Sequence, residues 1–135
     1  MGDPEPVAEL KRRIRQADAL LIATPEYQHG VPGVLENALD WASRPPGEAA
    51  LDGKPTAIMG ATPGDFGTAR AQEQLRQTLT YNNCPTVKVP EVLVANAEEK
   101  VDEAGNFTDA QTLEFIAELI RSLESLVETH RPSAG

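Results

Sequence analysis

Two apolar runs, ALLIA from Ala19 to Ala23 and PTAIMGA from Pro55 to Ala61, each pass into a loop rich in Gly and Pro and then into a helical pattern. Short apolar runs bounded by turn chemistry read as strands buried on both faces. Strands of that kind separated by helices imply a parallel sheet with right-handed crossovers and helices on both faces. In such sheets ligands sit beyond the carboxyl ends of the strands. Both punctuated loops, TPEYQHGVPG and TPGDFG, leave their strands at that end, so one shared site is the economical expectation.

The remaining segments fit the same alternation. Val7, Leu10, Ile14 and Ala17 recur at helical spacing, with Lys11, Arg12, Arg13 and Arg15 on the other side. Val34, Leu35, Ala38, Leu39 and Ala42 predict one face of a second helix, which Pro45, Pro46 and Gly47 stop. Thr68 is the expected N-cap of a third helix ending near Asn82 and Asn83. TVKVPEVLVANA is extended and β-branched, and Pro90 places it at a sheet edge or a strand start. EEKVDEAGNF reads as a loop or hairpin-like excursion. From Asp109 to about Thr129, Leu113, Ile116, Ile120, Leu123 and Val127 form one apolar stripe. The order is α-β-α-β-α-β-α, within a single domain expected over residues 1–135.

Charge and composition exclude several classes. A formal net charge of -9 argues against nucleic acid and against anionic membrane surfaces, because both need clustered Lys and Arg. No stretch reaches the length of a membrane helix, and the polar start MGDPEPVAELKRR is not a secretory signal, so the expected location is cytoplasmic. Cys84, the one cysteine, is expected to be a buried or half-buried thiol. His29 and His130 stand apart without metal-ligand spacing, so no metal site is expected.

Pro25 fixes φ in the first loop, while Gly30 and Gly33 permit backbone angles and close approach that side chains would block. The expected product is a rigid loop with outward amide N–H groups, a surface suited to a flat ring with acceptors at its edge. Gly60, Gly64 and Gly67 would let the second loop approach the ring's other side, and the helix after Thr68 would favour negative charge there. Taken singly, each loop is better explained by ordinary turn chemistry.

ADALLIATPEYQHGVPGVLENALDWASRP closely resembles the signature of the NADPH-dependent FMN reductase family, which includes bacterial chromate and quinone reductases. The family pattern runs T-P-E-Y-N, then P-G-x-L-K-N-A-x-D-W and S-R. LDGKPTAIMGATPGDFGTARAQEQLRQTL is similar to the family's second block, L-x-G-K-P followed by G-x-x-G-x-A-R-x-Q-x-x-L-R. The resemblance implies a flavodoxin-like three-layer α/β/α sandwich with a parallel sheet, lacking its first two strands. It implies FMN and NADPH, or NADH, as cofactors. Hydride would pass through flavin to a small-molecule electron acceptor: a quinone, a metal oxyanion, an azo compound or free flavin. Pro25, Glu26, Tyr27 and Gln28 would line the isoalloxazine chiefly through backbone amides, with Thr62, Gly64 and Gly67 approaching from the second loop. No side chain is assigned as catalytic, since the cofactor carries the chemistry. A homodimer or homotetramer is expected by the same resemblance.

Three departures qualify it. Gln28 stands where the family has Asn, and Glu36 replaces Lys in L-K-N. The family's G-S-x-R-x-x-S-x-N phosphate loop, with its strand, helix and second strand, has no counterpart here, which implies an exposed edge beside ALLIA and weakened flavin affinity. Trp41 is expected to pack in a core or interface, and Arg70 and Arg76 to lie on an exposed helix face or attract the NADPH phosphate. The rival reading is a non-catalytic flavodoxin-like fragment acting as an oligomerisation or interaction module. A phosphatase or nucleotide hydrolase is weaker, because only Asp65 offers itself at a strand end.

Overall fold

The structure, a computed structural model, describes residues 2–131, so Met1 and residues 132–135 of the expected domain lie outside the described residues. Helix α1 (Glu5–Gln16) leads into β1 (Leu20–Ala23), α2 (Gly33–Ala42), β2 (Thr56–Ala61), α3 (Ala69–Tyr81), β3 (Val92–Val94), a 3-10 turn (Ala97–Glu99) and α4 (Ala110–His130). The strands lie in the order β1-β2-β3, and both pairings are parallel. Ala23 pairs with Met59, and Met59 with Val92, so the three carboxyl ends come out together. Pro90 precedes β3, where its missing N–H costs no ladder bond.

Successive right-handed crossovers that step the same way across a sheet put their helices on one face. Accordingly α1, α2 and α3 share a core around Ile58, built from Ile14, Leu39, Leu51, Leu75 and Leu79. Leu51, Leu75 and Leu79 are wholly buried there, each stabilising the fold by roughly 1.5–3 kcal/mol. The opposite face of the sheet presents Ala57, Val92 and Val94 to Leu119 of α4. Three layers result, as expected, from helices that cover the sheet unequally.

That inequality corrects the reading of β1 as buried on both faces. Leu20 and Ile22 pack against the larger core, whereas Leu21 is 41% exposed and Ala23 is exposed. Helix α4 packs over β2 and β3, which leaves the same face of β1 partly open. No strand among the described residues pairs with the outer edge of β1.

Other side chains depart from their expected faces for local reasons. Lys11, expected in solvent, is buried, and its ammonium donates to Asp3 at 2.7 Å. Val34 is exposed because it lies in the first turn of α2, beyond the edge of the core. On α4 the buried line runs through Thr112 and Leu119, with Ile116, Leu123 and Leu126 beside it, while Leu113 and Ile120 of the expected stripe are exposed. The expected excursion after β3 is a short antiparallel bridge, Val101 with Phe107, closed by Gly105 at φ 84. Cys84 is buried as expected, and its thiol, raised by burial above its usual pKa, donates to the Leu51 carbonyl at 3.2 Å.

Asp109 caps α4: its carboxylate accepts from the Thr112 hydroxyl and, at 3.1 Å, from the Thr112 N–H. Those two bonds, the hydroxyl's first, hold its carboxyl below the ordinary carboxylate range. Because the folded value is the lower one, the stabilisation is present above the unfolded pKa, about 4, and is lost as pH falls through the folded value. Asp109→Ala should therefore lower the urea midpoint at neutral pH, and the gap to the parent should close on acidification, as read from midpoints between about pH 6 and pH 3.

Candidate functional site

The site is built where β1 and β2 end. The Thr24 N–H donates to the Met59 carbonyl at 2.9 Å, which extends the ladder to the first residue of the first loop. From there the loop climbs through Pro25 and Glu26 to a tight turn. Tyr27 N–H donates to the Gly30 carbonyl at 3.0 Å, and Gly30 N–H returns to the Tyr27 carbonyl at 2.9 Å. The two residues between them, Gln28 and His29, have φ 50 and 63. Positive φ at both central positions is the demand of a type I′ turn, which favours Asn-Gly.

The strained backbone thus falls on Gln28 and His29, not on the glycines expected to carry it. Gly33 is the first residue of α2, and a Cβ there would meet nothing. Gly30 has no positive φ, but a Cβ there would collide at 2.9 Å with Gln74 Oε1, so the close approach expected of this glycine is present. Gln28 in place of the family's Asn is costly for the same reason, since Asn tolerates the left-handed region and Gln does not.

The second loop is welded to the sheet. A Cβ at Gly60 would collide with the Thr68 hydroxyl and the Thr24 carbonyl, and one at Gly67, which has φ 55, would collide with the Leu93 backbone. Thr68, expected to cap α3, stands at the N-cap position with φ 71 and makes no capping bond. Its hydroxyl instead accepts from Gln72 Nε2 at 3.0 Å, and the same Nε2 donates to the Val92 carbonyl at 2.9 Å. The third strand adds a border that sequence reasoning missed. Asn96 N–H donates to the Gly64 carbonyl at 2.9 Å and Ala97 N–H to the Thr62 carbonyl at 3.0 Å. The rule that sites gather at strand ends applies to β3 as well, and was the available signal.

The expected site residues therefore divide by role. Tyr27 is 64% exposed, and Pro25, Gln28 and Gly64 are also exposed, whereas Thr62 is half-buried and Gly67 buried. Of the second loop's glycines, Gly64 is the one with open space where a Cβ would stand: only the Thr62 hydroxyl lies near, at 3.9 Å. The amides of Gln28 and His29, and of Asp65 and Phe66, have no acceptor among the described residues. Exposed, unpaired amides beside an open glycine fit the edge of a flat ring rich in acceptors. Within the sheet end itself the cavity beside Ala23, Met59, Phe107 and Ile116 is about 150 Å³, below the roughly 300–1,000 Å³ of enclosed ligand pockets. A ring would lie on this surface, between the loops.

Electrostatics also differ from expectation. The amide of Ala71, at the positive end of α3, is taken by Glu26 Oε1 at 2.8 Å. The helix end therefore already faces an anion, and its dipole is not free for a ligand. Arg70 lies 3.8 Å from Glu26 Oε2 and over the Phe66 ring at 4.4 Å. Arg76 is engaged elsewhere, donating to the Val87 carbonyl at 3.0 Å. Trp41, half exposed, stands on α2 beside Asp3, Lys11 and Arg44.

A parallel sheet with helices on both faces, and a two-loop surface of free amides at its carboxyl end, define a flavodoxin-like α/β protein. The sequence pattern of the NADPH-dependent FMN reductase family matches residues 1–99, and the chain belongs to that family. It is 46% identical over 131 residues to an NAD(P)H-dependent FMN reductase of Pseudomonas aeruginosa, covering 97% of this chain and 70% of that one. A 2-hydroxy-1,4-benzoquinone reductase of a Burkholderia species is 40% identical, over 95% of this chain and 70% of that one. Among solved structures, the flavoenzyme NAD(P)H:(acceptor) oxidoreductase FerB from Paracoccus denitrificans superposes with a TM-score of 0.85 at 37% identity, covering 94% of this chain and 70% of that chain.

Replacing Gln28 and His29 by Asn and Gly, the pair a type I′ turn prefers, should stabilise the protein by roughly 1 kcal/mol. Urea denaturation of the parent and the double variant without added ligand measures this directly.

Proposed function

We propose that the chain is an NAD(P)H-dependent FMN reductase of the quinone reductase type, with the ring of FMN held between its two loops. The observation that carries this reading is the pairing of free amides at Gln28, His29, Asp65 and Phe66 with the unfilled space at Gly64. When bound, FMN supplies the two-electron chemistry that links a nicotinamide donor to an acceptor. The chain's own residues bind and orient. On this reading Pro25, Glu26, Tyr27 and Gln28 line one edge of the ring, with the free N–H of Gln28 as a donor since Pro25 has none and that of Tyr27 is taken by Gly30, and Thr62, Gly64 and Gly67 shape the approach from the second loop. No side chain needs to move a proton, so none is assigned a catalytic role. Tyr27 and Phe66, both largely exposed, offer flat apolar surface beside the place where donor and acceptor would alternate.

Quinones are the acceptors the reading favours, because a relative of 40% identity is named for a benzoquinone. Metal oxyanions such as chromate, azo compounds and free flavin extend the same chemistry. A cytoplasmic homodimer or homotetramer, formed from a single domain per chain, completes the proposal. No helix among the described residues is long and apolar enough to cross a membrane.

One observation favours the second reading, that of a non-catalytic interaction module: the open edge of β1, with Leu21 exposed beside it. Titration of the purified chain with FMN, followed by flavin fluorescence and the visible spectrum, separates the two. A flavin reductase should bind at micromolar FMN or tighter, a standard free energy of about −8 kcal/mol, and then oxidise NADPH in the presence of a quinone. Gly64→Val should weaken FMN binding at least about tenfold while leaving the fold intact, because its side chain would enter space the protein does not occupy. A folded parent chain that ignores FMN, or a Gly64→Val variant paired with Tyr27→Ala that binds it unchanged, would sink the two-loop site.

A further inference from the structure

Glu26 has a use for its carboxylate that the ring-binding role of its backbone does not require. Its side chain is 11% exposed. Oε1 accepts the Ala71 N–H at 2.8 Å, and Oε2 faces Arg70, whose guanidinium lies over Phe66 of the second loop. Five residues on, the Val31 N–H donates to Gln74 Oε1 at 2.8 Å. Ala71 and Gln74 are three apart in α3 and share one face of that helix. The same helix face therefore grips the first loop at Glu26 and at Val31, on either side of the turn from Tyr27 to Gly30.

The turn between those grips is the strained one. Gln28 and His29 sit at positive φ without the Asn or Gly that would make it comfortable, a conformation that costs about 1 kcal/mol or more per residue and persists only when its surroundings enforce it. The bond at Glu26 is suited to enforcing it: a carboxylate on a helix N-terminal amide is charge-assisted and aligned with the helix dipole. We propose that Glu26 is a positioning residue, which with Gln74 clamps the first loop to α3 and holds the amides of Gln28 and His29 in the arrangement that meets the flavin ring. This deepens the FMN reading and rests on it. A loop fixed in advance spares the ligand the entropy of ordering it, so the clamp acts on affinity without touching the ring.

Three variants test it: Glu26→Ala, which removes the grip; Glu26→Gln, which keeps an acceptor for the Ala71 N–H; and Gln74→Ala, which removes the second grip. Two readouts are taken on each, amide exchange and chemical shifts of Ala71, Gln28 and His29 without ligand, and the Kd for FMN. The expected result for Glu26→Ala is a deprotected Ala71 amide, shifted Gln28 and His29 resonances and a Kd about tenfold weaker. Glu26→Gln should recover the protection and bring the Kd within about threefold of the parent. Gln74→Ala should shift the same two turn residues while leaving Ala71 protected. If Glu26→Ala binds FMN as tightly as the parent, or if Glu26→Gln is as impaired as Glu26→Ala, the inference is overturned and the FMN reading stands. If the parent itself does not bind FMN, the FMN reading and this ring-directed role fall together. The exchange data then decide separately whether a clamp exists.

Discussion

The buried amide of Gln72 ties the second loop to the third strand at the carboxyl end of the sheet. One nitrogen donates to the Thr68 hydroxyl and to the Val92 carbonyl, so a single group joins the second loop, the start of α3 and the start of β3. That junction closes only because Gly60 has no side chain, which lets Thr68 and the Thr24 carbonyl approach the same point of β2. All three strands and both loops thus meet around one glycine and one amide. Gln72 is 2% exposed, and its bonds form in surroundings where losing a partner would leave a desolvated polar group, a penalty of about 1–3 kcal/mol. The loops can be rigid because their roots are.

This arrangement divides the glycines of the family signature into two kinds. Gly60 and Gly67 are empty so that the protein can touch itself, and any side chain at either would strike backbone or the buried Thr68. Gly64 is empty toward the outside. Sequence pattern alone could not separate them, because a missing Cβ looks the same whichever neighbour requires it. The first loop shows the converse. Gly30 leaves room for Gln74 and Gly33 meets nothing, while the unusual backbone falls on Gln28 and His29, whose side chains announce nothing of the kind.

What was legible in the sequence was periodic. The three strands, four helices, their order and the parallel sheet all follow from apolar spacing and turn residues, and the observed ends differ by a residue or two except in TVKVPEVLVANA, of which only Val92–Val94 is strand. What was not legible depended on distant neighbours. Glu26 caps a helix that starts more than forty residues later, so no local motif could reveal it, while Thr68 holds the N-cap position without the capping bond. The outer face of β1 reads as core because Leu21 and Ala23 are apolar, yet its burial is settled by where α4 lies, over β2 and β3. Lys11 reads as surface because lysines usually are, and is buried because Asp3 supplies a carboxylate.

These features bear on how such a site handles charge. A carboxylate placed on the N-terminus of α3 would be wasteful if that helix were meant to attract an anionic group, since it cancels the field the helix provides. It is economical if the helix is instead a handle for the loop. On that view the ring is met by dipoles, the amides of two rigid turns, more than by net charge, which suits a protein of net charge -9 that must still admit a negatively charged nicotinamide cofactor. Amides fixed in place respond to the charge on a ring without reorganising. Arg70, between Glu26 and Phe66, joins the first loop to the second by charge and by contact with a ring face.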